Sequence, residues 1–449
     1  MSFSRPFTKY FKLKTGDASD HARGYLRGLT STVRRKNIER MDERVSSMNY
    51  ESAQRFISES PWDEQPLLSE VARQADRLLG GQAESALYLD ETAFAKKGKS
   101  SVGVARQYNG RLGKVDNAQV VVSAALGCAD RVTLIDFLLY MPKEWIEDPK
   151  RCEKVGVPSA VIERGVRSKW QLGLDLVDRA VANGVRFRWV GADGGYGHCP
   201  EFLWGLIDRQ LEFMAEVHST HRVYLVDPSG HPQAPPYEVK DVAAVITPET
   251  WTKVMIRPST KGELQARFWR KRVWVKEAPS ADKSHTDDHR QQAWWLLVRE
   301  DADGKRSYAL SNASASTTLL DLAKRQAGRF WIERAFQDAK SEVGMAQYQV
   351  RGWRGLHHHL AMCLLALLFI TKERIHAAPH APLVSAHDVV VLLDFHHQHP
   401  AATESQFIEQ IAKRHRKRQS AIHSAQRRQN QRQNSPPPIN SDVISSSTK

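Results

Sequence analysis

The chain has 449 residues but only four cysteines and no long hydrophobic segment. The cysteines are far apart and form no CxxC pair, which argues against a disulfide framework and against a structural zinc module. The longest apolar run, residues 360–370, is well short of the roughly 20 residues that a membrane-spanning helix needs. The first residues contain no continuous apolar stretch of the kind found in a signal peptide. We therefore expect a cytoplasmic protein with no membrane partner.

Acidic residues are fewer than basic ones, with 51 Asp and Glu against 65 Lys and Arg, so the net charge is +14 and the pI is about 9.6. This excess favours polyanionic partners, with nucleic acid ahead of an anionic membrane. Part of it is local, because the acid-free stretch 413–432 contains Lys413, Arg414, Arg416, Lys417, Arg418, Arg427, Arg428 and Arg432. The remaining excess is spread over the rest of the chain, which is therefore basic as well.

The chain is longer than one typical domain, and its patterning changes at four places. Residues 1–80 have helical periodicity, which predicts a small helical DNA-binding domain, with a purely structural cap as the alternative. Strands and helices alternate over 81–219, β-type runs follow over 220–312, and helical patterns return over 313–400. The segment 401–449 is rich in Arg, Gln, Ser and Asn, so we expect a disordered basic tail.

Three acids stand out by their position in these elements. Asp90 is predicted to end a short apolar strand, Asp193 to end a later strand, and Glu333 to lie on a helix further on. Neighbouring strand ends and a crossing helix can bring three carboxylates together, and such oxygen ligands suit Mg²⁺ or Mn²⁺. Two such ions can activate water or a 3′-hydroxyl in phosphodiester chemistry. The alternative is that each strand-terminal Asp is only a turn former or a helix cap.

The helix around Glu333 places its carboxylate between two cations. Arg329, Glu333 and Lys340 fall within an arc of roughly 40° at about 100° per residue. This pattern is compatible with a metal ligand flanked by phosphate contacts, and equally with an ordinary charged surface. Lys97 and Lys99 lie just after the first acid, where they could contact a DNA backbone or simply face solvent.

The spacing Arg329-x3-Glu333-x6-Lys340 resembles the Y-x2-R-x3-E-x6-K pattern of the DDE transposases of bacterial insertion sequences. The stretches 96–108 and 348–353 also resemble one branch of these enzymes, and the likeness extends over about residues 20–375. One position departs from the pattern, since Gln326 stands where the family has Tyr.

This resemblance implies an α/β fold: an RNase H-like mixed-sheet core with a β-rich insertion, preceded by the helical N-terminal domain. It implies that Asp90, Asp193 and Glu333 are catalytic and hold two Mg²⁺ or Mn²⁺ ions, with Arg329 and Lys340 on DNA phosphates.

The function implied is a DNA transposase that cleaves at transposon ends and then joins them to target DNA. Its partners would be terminal inverted repeats, target DNA and further copies of the chain, as a homodimer or higher oligomer on the bacterial nucleoid. Two alternatives stay open. One is an RNase H-like nuclease that cuts without joining, and the other is a catalytically silent DNA-binding descendant of a transposase, which Gln326 would favour.

Overall fold

The computed structural model describes residues 5–14, 16–110, 113–227, 231–259, 262–275, 293–399 and 403–434. Within these residues no helix combines the length and the apolar character required to cross a bilayer.

The N-terminal region is helical, as predicted. A 3-10 helix (Arg5–Phe11) and a short hairpin precede four α-helices, and the bounds of these elements are β1 Lys12–Leu13, β2 Gly16–Asp17, α1 Ser19–Leu29, α2 Ile38–Arg44, α3 Tyr50–Ser58 and α4 Glu64–Leu79. Side chains of Asn37, Asn49 and Asp63 accept hydrogen bonds from backbone N–H groups in the first turns of α2, α3 and α4. Such capping satisfies donors that a helix start leaves unpaired.

The next part of the chain forms the central sheet. Its strands are β3 Ser85–Ala95, β4 Ala105–Asn109, β5 Lys114–Cys128, β6 Arg131–Leu139, β7 Trp189–Ala192 and β8 Glu212–Val217. Helices connect β6 to β7 and β7 to β8, namely α5 Lys143–Ile146, α6 Pro149–Lys154, α7 Ser159–Glu163, α8 Lys169–Ala182, α9 Gly194–Gly197 and α10 Pro200–Asp208.

The strand order in this sheet confirms the predicted RNase H-like core. β3 pairs with β7 in parallel, and β7 pairs with β8 in parallel. On its other edge β3 pairs with β5 in an antiparallel manner, and β5 pairs with β6. Across the sheet these strands therefore lie in the order β6, β5, β3, β7 and β8, with β5 antiparallel to the others. Numbered along the chain, this is the order 3-2-1-4-5. This is the arrangement of RNase H-like folds.

The β-rich insertion continues the same sheet. Its elements are β9 Arg222–Val226, β10 Pro232–Glu238, α11 Val239–Ala244, a 3-10 helix Pro248–Thr250, β11 Thr252–Ser259, β12 Gly262–Trp274, β13 Trp294–Glu300 and β14 Arg306–Ser311. β14 pairs with β8 in an antiparallel manner. The Asn312 amide reinforces this junction, because it accepts from the Phe213 N–H (2.8 Å) and donates to the Leu211 carbonyl (2.9 Å).

The remaining elements are helices, with bounds α12 Leu319–Gly328, α13 Phe330–Glu342, α14 Trp353–Ala377, α15 Ala386–Gln398 and α16 Glu404–Asn434. The apolar helix α14 shares its core with the N-terminal helices. The His358 ring stacks on Trp62 (3.8 Å between centroids), and the Tyr25 hydroxyl is hydrogen-bonded to His359 Nδ1 (2.8 Å). The N-terminal helices are therefore part of one packed unit with α14.

The tail predicted to be disordered is helical over Glu404–Asn434, and residues 401–402 and 435–449 of that prediction lie outside the described residues. Two causes are visible. Gln, Arg, Lys and Ala favour helices, and the helix is fastened to α15 through Arg414 and Arg418, which both pair with Asp388. The composition of the tail indicated low hydrophobicity, but it could not reveal the ion pairs with Asp388, which is distant in the sequence.

The Tyr88 side chain fills a space bordered by three glycines from three elements. A Cβ at Gly127 of β5 or at Gly191 of β7 would lie 2.8 Å or 2.6 Å from atoms of the Tyr88 ring, and one at Gly328 would meet the Tyr88 hydroxyl. Heavy atoms cannot approach so closely, so the ring requires glycine at all three positions. Gly328 is the last residue of α12, immediately before Arg329.

Candidate active site

Asp90 lies in the middle of β3 and does not end it, because the antiparallel pairing with β5 continues to Ala95. The prediction of a strand-terminal Asp90 was therefore wrong in that respect. The parallel pairing with β7, however, stops at Leu89, which is opposite Ala192. Asp90 is thus the first residue beyond the parallel ladder, on the side where β7 also ends.

Asp193 directly follows the last residue of β7 and is the N-cap of α9. Its carboxylate accepts hydrogen bonds from the backbone N–H groups of Gly195 (3.0 Å) and Tyr196 (3.4 Å), so the helix-cap role weighed above is present. Because Leu89 is opposite Ala192, Asp90 and Asp193 occupy successive positions on adjacent parallel strands. Adjacent strands are about 4.8 Å apart. The structure therefore brings these two acids together.

Glu216 of β8 is a third acid at the same level, and it was not among the residues predicted from the sequence. Ala192 is opposite Ala215, so Glu216 follows on β8 where Asp193 follows on β7. Asp90, Asp193 and Glu216 together are called the acidic rung below. The sequence did contain a signal, since each of the three acids directly follows an apolar strand residue. Only the register of the strands, however, shows that the three positions are equivalent.

Arg329 joins the acidic rung to Glu333. Its guanidinium is 3.4 Å from Asp90 Oδ2 and 3.2 Å from Glu216 Oε2, and it also pairs with the Glu333 carboxylate. Arg329 stands between α12 and α13, as the C-cap of the first helix and the N-cap of the second. The side chain is 19% exposed, so these ion pairs lie mostly out of solvent.

The electrostatics of the site reflect an excess of carboxylates. Burial, reinforced by the Asp193 charge, raises the pKa of Asp90 to about 7, although Arg329 acts in the opposite direction. Burial also raises the pKa of Glu216, again opposed by Arg329 and reinforced by Asp193. Negative charge therefore exceeds what one guanidinium neutralises. This is the condition under which a cation binds.

The donor chemistry fits a hard divalent ion, because Asp90, Asp193 and Glu333 offer only carboxylate oxygens. As the side chains stand, no group of three or more His, Cys, Asp or Glu residues within the described part of the chain has an arrangement that would hold a metal. The Arg329 guanidinium lies between the carboxylates of Asp90, Glu216 and Glu333. It would have to move relative to the ligands when an ion enters.

The other residues predicted to contact DNA are Lys340, Lys97 and Lys99. Lys340 is on the same face of α13 as Glu333, with Nζ 6.0 Å from the centre of the Phe94 ring of β3. Lys97 and Lys99 are exposed in the turn after β3, where the Lys99 carbonyl accepts a hydrogen bond from Arg151. The neighbouring Lys96 instead lies 3.4 Å above the Tyr348 ring, and burial lowers its pKa to about 8.

Gln326, the departure from the Tyr-containing pattern, is buried in α12 and contacts β14 of the insertion. Its amide nitrogen donates to the Ser307 hydroxyl of β14 at 3.2 Å. The side chain therefore helps to hold α12 against the extended sheet.

The sequence is similar to known proteins over more than half of its length. The family model for the DDE superfamily endonuclease matches residues 7–274. A relative, the "Probable transposase for insertion sequence element IS701" of Microchaete diplosiphon, is 24% identical over 331 residues, which cover 72% of this chain and 74% of the relative.

Two solved structures are similar at lower levels. A piggyBac transposase synaptic complex with hairpin DNA is 13% identical, with a TM-score of 0.41 over 99% of this chain and 84% of the other. The NurA nuclease from Sulfolobus solfataricus is 9% identical, with a TM-score of 0.26 over 61% of this chain and 85% of the other. The family match covers more than half of the sequence, and the chain therefore belongs to the DDE superfamily of endonucleases.

Proposed function

We propose that the protein is the DNA transposase of an insertion sequence, cleaving DNA at transposon ends and joining those ends to a target. The observation that carries this proposal is the placement of Asp90 and Asp193 at the same level of adjacent parallel strands, with Glu333 linked to Asp90 through Arg329. The relative's description as a probable transposase supports the same function.

In this proposal Asp90, Asp193 and Glu333 hold two Mg²⁺ or Mn²⁺ ions. Such ions, when bound, supply the positive charge that activates an attacking hydroxyl and stabilises the leaving oxygen. Arg329 reaches the acids from the start of α13, so its guanidinium can orient a phosphate at the same place. Glu216 keeps that guanidinium at the site, and Lys340 adds a second cation further along α13.

The N-terminal helices are proposed to recognise the terminal inverted repeats, and two or more copies of the chain to bridge two ends. Lys97 and Lys99, exposed after β3, are proposed to contact the DNA backbone. The protein would then act in the cytoplasm on nucleoid DNA.

The test is Mg²⁺-dependent cleavage of DNA that carries the inverted repeats flanking the gene. Asp193→Asn and Glu333→Gln should each reduce cleavage to background while leaving DNA binding intact, because each removes one ligand charge. Asp178→Asn is a matched control, since this exposed acid pairs with Arg209 at 2.6 Å on the surface of α8. Full cleavage by Asp193→Asn would contradict the proposed site.

Strand transfer is tested separately with a pre-cut end that carries a free 3′-hydroxyl. A transposase should join this end to a target plasmid, and the joined product should disappear in Glu333→Gln. Cleavage without any joined product would identify the nuclease alternative instead. An inactive wild-type protein that still binds the repeats would identify the silent descendant.

A further inference from the structure

The last helix, α16, has a strongly unbalanced charge. Over Glu404–Asn434 it contains the eight cations of residues 413–432 and two acids, Glu404 and Glu409, so its net charge is 8 − 2 = +6. This is a large share of the +14 of the whole chain. Like charges one turn apart on a helix destabilise it, so a surface of this kind benefits from a polyanionic partner.

One face of α16 is already used to hold the helix on the body of the protein. Arg414 and Arg418, one turn apart, pair with Asp388 of α15 at 3.2 and 2.9 Å, and Ile411 packs against the core. Asp388 also accepts hydrogen bonds from the backbone and the hydroxyl of Ser385. The Ser385 contacts and Arg418 lower the pKa of Asp388 to about 2 in spite of its partial burial. The anchor is therefore charged at neutral pH and fixes which side of α16 faces outward.

The outward side has five further cations, Lys413, Arg416, Lys417, Arg427 and Arg428, all of them exposed. None of these five forms an ion pair with any residue that the structure describes. They extend over sixteen residues of helix, from Lys413 to Arg428, or about 22 Å at 1.5 Å per residue. This is a length over which duplex DNA presents many phosphates, since it has about one charge per 1.7 Å of its axis.

The chemistry of this face distinguishes nucleic acid from a membrane surface. A helix that lies on a membrane needs large apolar residues beside its cations. The exposed neighbours of the five cations are mainly polar, among them Gln419, Ser420, His423 and Gln426. The exposed Ile408 of the same helix precedes the first of the five by more than one turn. The apolar Ile411 faces the body of the protein.

We propose that α16 is a second DNA-binding surface, which contacts the phosphate backbone of duplex DNA through Lys413, Arg416, Lys417, Arg427 and Arg428 irrespective of sequence. It is distinct from the acidic rung and needs no metal. Its role would be to hold flanking or target DNA against the protein, with the Asp388 anchor setting the direction in which the cations point.

The experiment measures binding of full-length protein to a non-cognate duplex of about 30 base pairs, by fluorescence anisotropy in EDTA, from about 50 to about 200 mM salt. The triple variant K413Q/R416Q/K417Q should lower the slope of log affinity against log salt by about 2.7, because each lost phosphate contact removes about 0.9. An unchanged slope would overturn the proposal.

Three further variants keep the test decisive. R427Q/R428Q should lower the slope by about 1.8 on the same basis, even if the triple variant folds poorly. K413R/R416K/K417R retains every charge and should behave as wild type, and a fall in its slope would contradict an electrostatic contact. Q419A/S420A/Q426A alters the same helix without changing charge and should also leave the slope unchanged. Loss of binding to phosphatidylserine vesicles with an unchanged DNA slope would overturn the proposal in favour of a membrane surface.

The outcome is separable from that of the proposed function. Asp193→Asn should bind the non-cognate duplex with the wild-type slope, because the acidic rung is not part of this surface. Failure of cleavage would therefore leave the α16 result intact, and an unchanged slope in the triple variant would leave the cleavage result intact.

Discussion

Arg329 contacts more charged groups of the candidate site than its place in the sequence pattern implies. The resemblance assigned it to DNA, whereas in the structure it pairs with Asp90, Glu216 and Glu333. Of these three partners, Asp90 and Glu333 are proposed metal ligands. Glu216 is therefore the partner that stays available to Arg329 when ions are bound. Glu216 is therefore a positioning residue for the guanidinium in this proposal.

Glu216→Gln should slow single-turnover DNA cleavage about 10- to 100-fold, since a hydrogen bond to a charged group contributes about 1.5–3 kcal/mol. Binding of the inverted repeats should change little, because only the orientation of Arg329 is lost. Glu212→Gln makes the same substitution at the start of β8, where the carboxylate pairs with Arg325 at 2.6 Å. Equal cleavage rates for the two variants would show that Glu216 has no particular role.

At the scale of elements, α14 contains histidines that are kept neutral by burial. Burial lowers the pKa of His357, His358 and His359 to about 4. A histidine in the unfolded chain has a pKa of about 6.5. As the pH falls from 6.5 toward 4, the unfolded state takes up protons that the folded state does not, so the stability present above pH 6.5 is lost across this range.

Below pH 6 each of these three histidines should contribute about 1.4 kcal/mol per pH unit to the slope of unfolding free energy against pH. Urea unfolding of wild type at a series of pH values measures this slope. His357→Asn should remove about one histidine's share, because Asn does not titrate. His376→Asn changes an exposed position of the same helix and should leave the slope as it is. Identical slopes in wild type and His357→Asn would contradict the assignment.

The sequence predicted some parts of the site and not others, and the reasons are physical. Asp90 and Asp193 could be predicted from the sequence because each follows a short apolar run. Glu333 could be predicted because helical spacing places it between two cations. Glu216 could not be predicted, because only the register of β7 with β8 makes it equivalent to Asp193. The helical state of α16 likewise depends on Asp388, a partner that local composition does not reveal. Local pattern thus predicted elements, whereas tertiary pairing determined what they contact.

At the scale of the whole molecule, core and insertion share one hydrogen-bonded sheet, in which β8 carries Glu216 on its way to β14. Residue Ala309 of β14 is opposite Glu216 itself. A substitution that weakens the pairing of β8 with β14 should therefore affect both the core and the insertion. The sequence pattern had placed the boundary between these two regions at residue 220.

Asn312→Ala should accelerate amide hydrogen exchange in β8 as well as in β14. The substitution removes the two hydrogen bonds to the Phe213 N–H and the Leu211 carbonyl, and an unmade buried bond costs about 1–3 kcal/mol. Exchange followed by mass spectrometry measures the two strands separately. Asp303→Ala, in the exposed turn before β14, is the control. Faster exchange confined to β14 would show that the insertion opens independently of the core.

The Tyr88 ring has a consequence for how this protein can diverge. Its three glycine neighbours come from β5, β7 and the end of α12, far apart in the sequence. A larger residue at Gly127, Gly191 or Gly328 fits into this space only when Tyr88 is replaced by a smaller residue. Among descendants of this chain we therefore expect the four positions to change together, as a linked set of substitutions in which position 88 sets the permitted size of the other three.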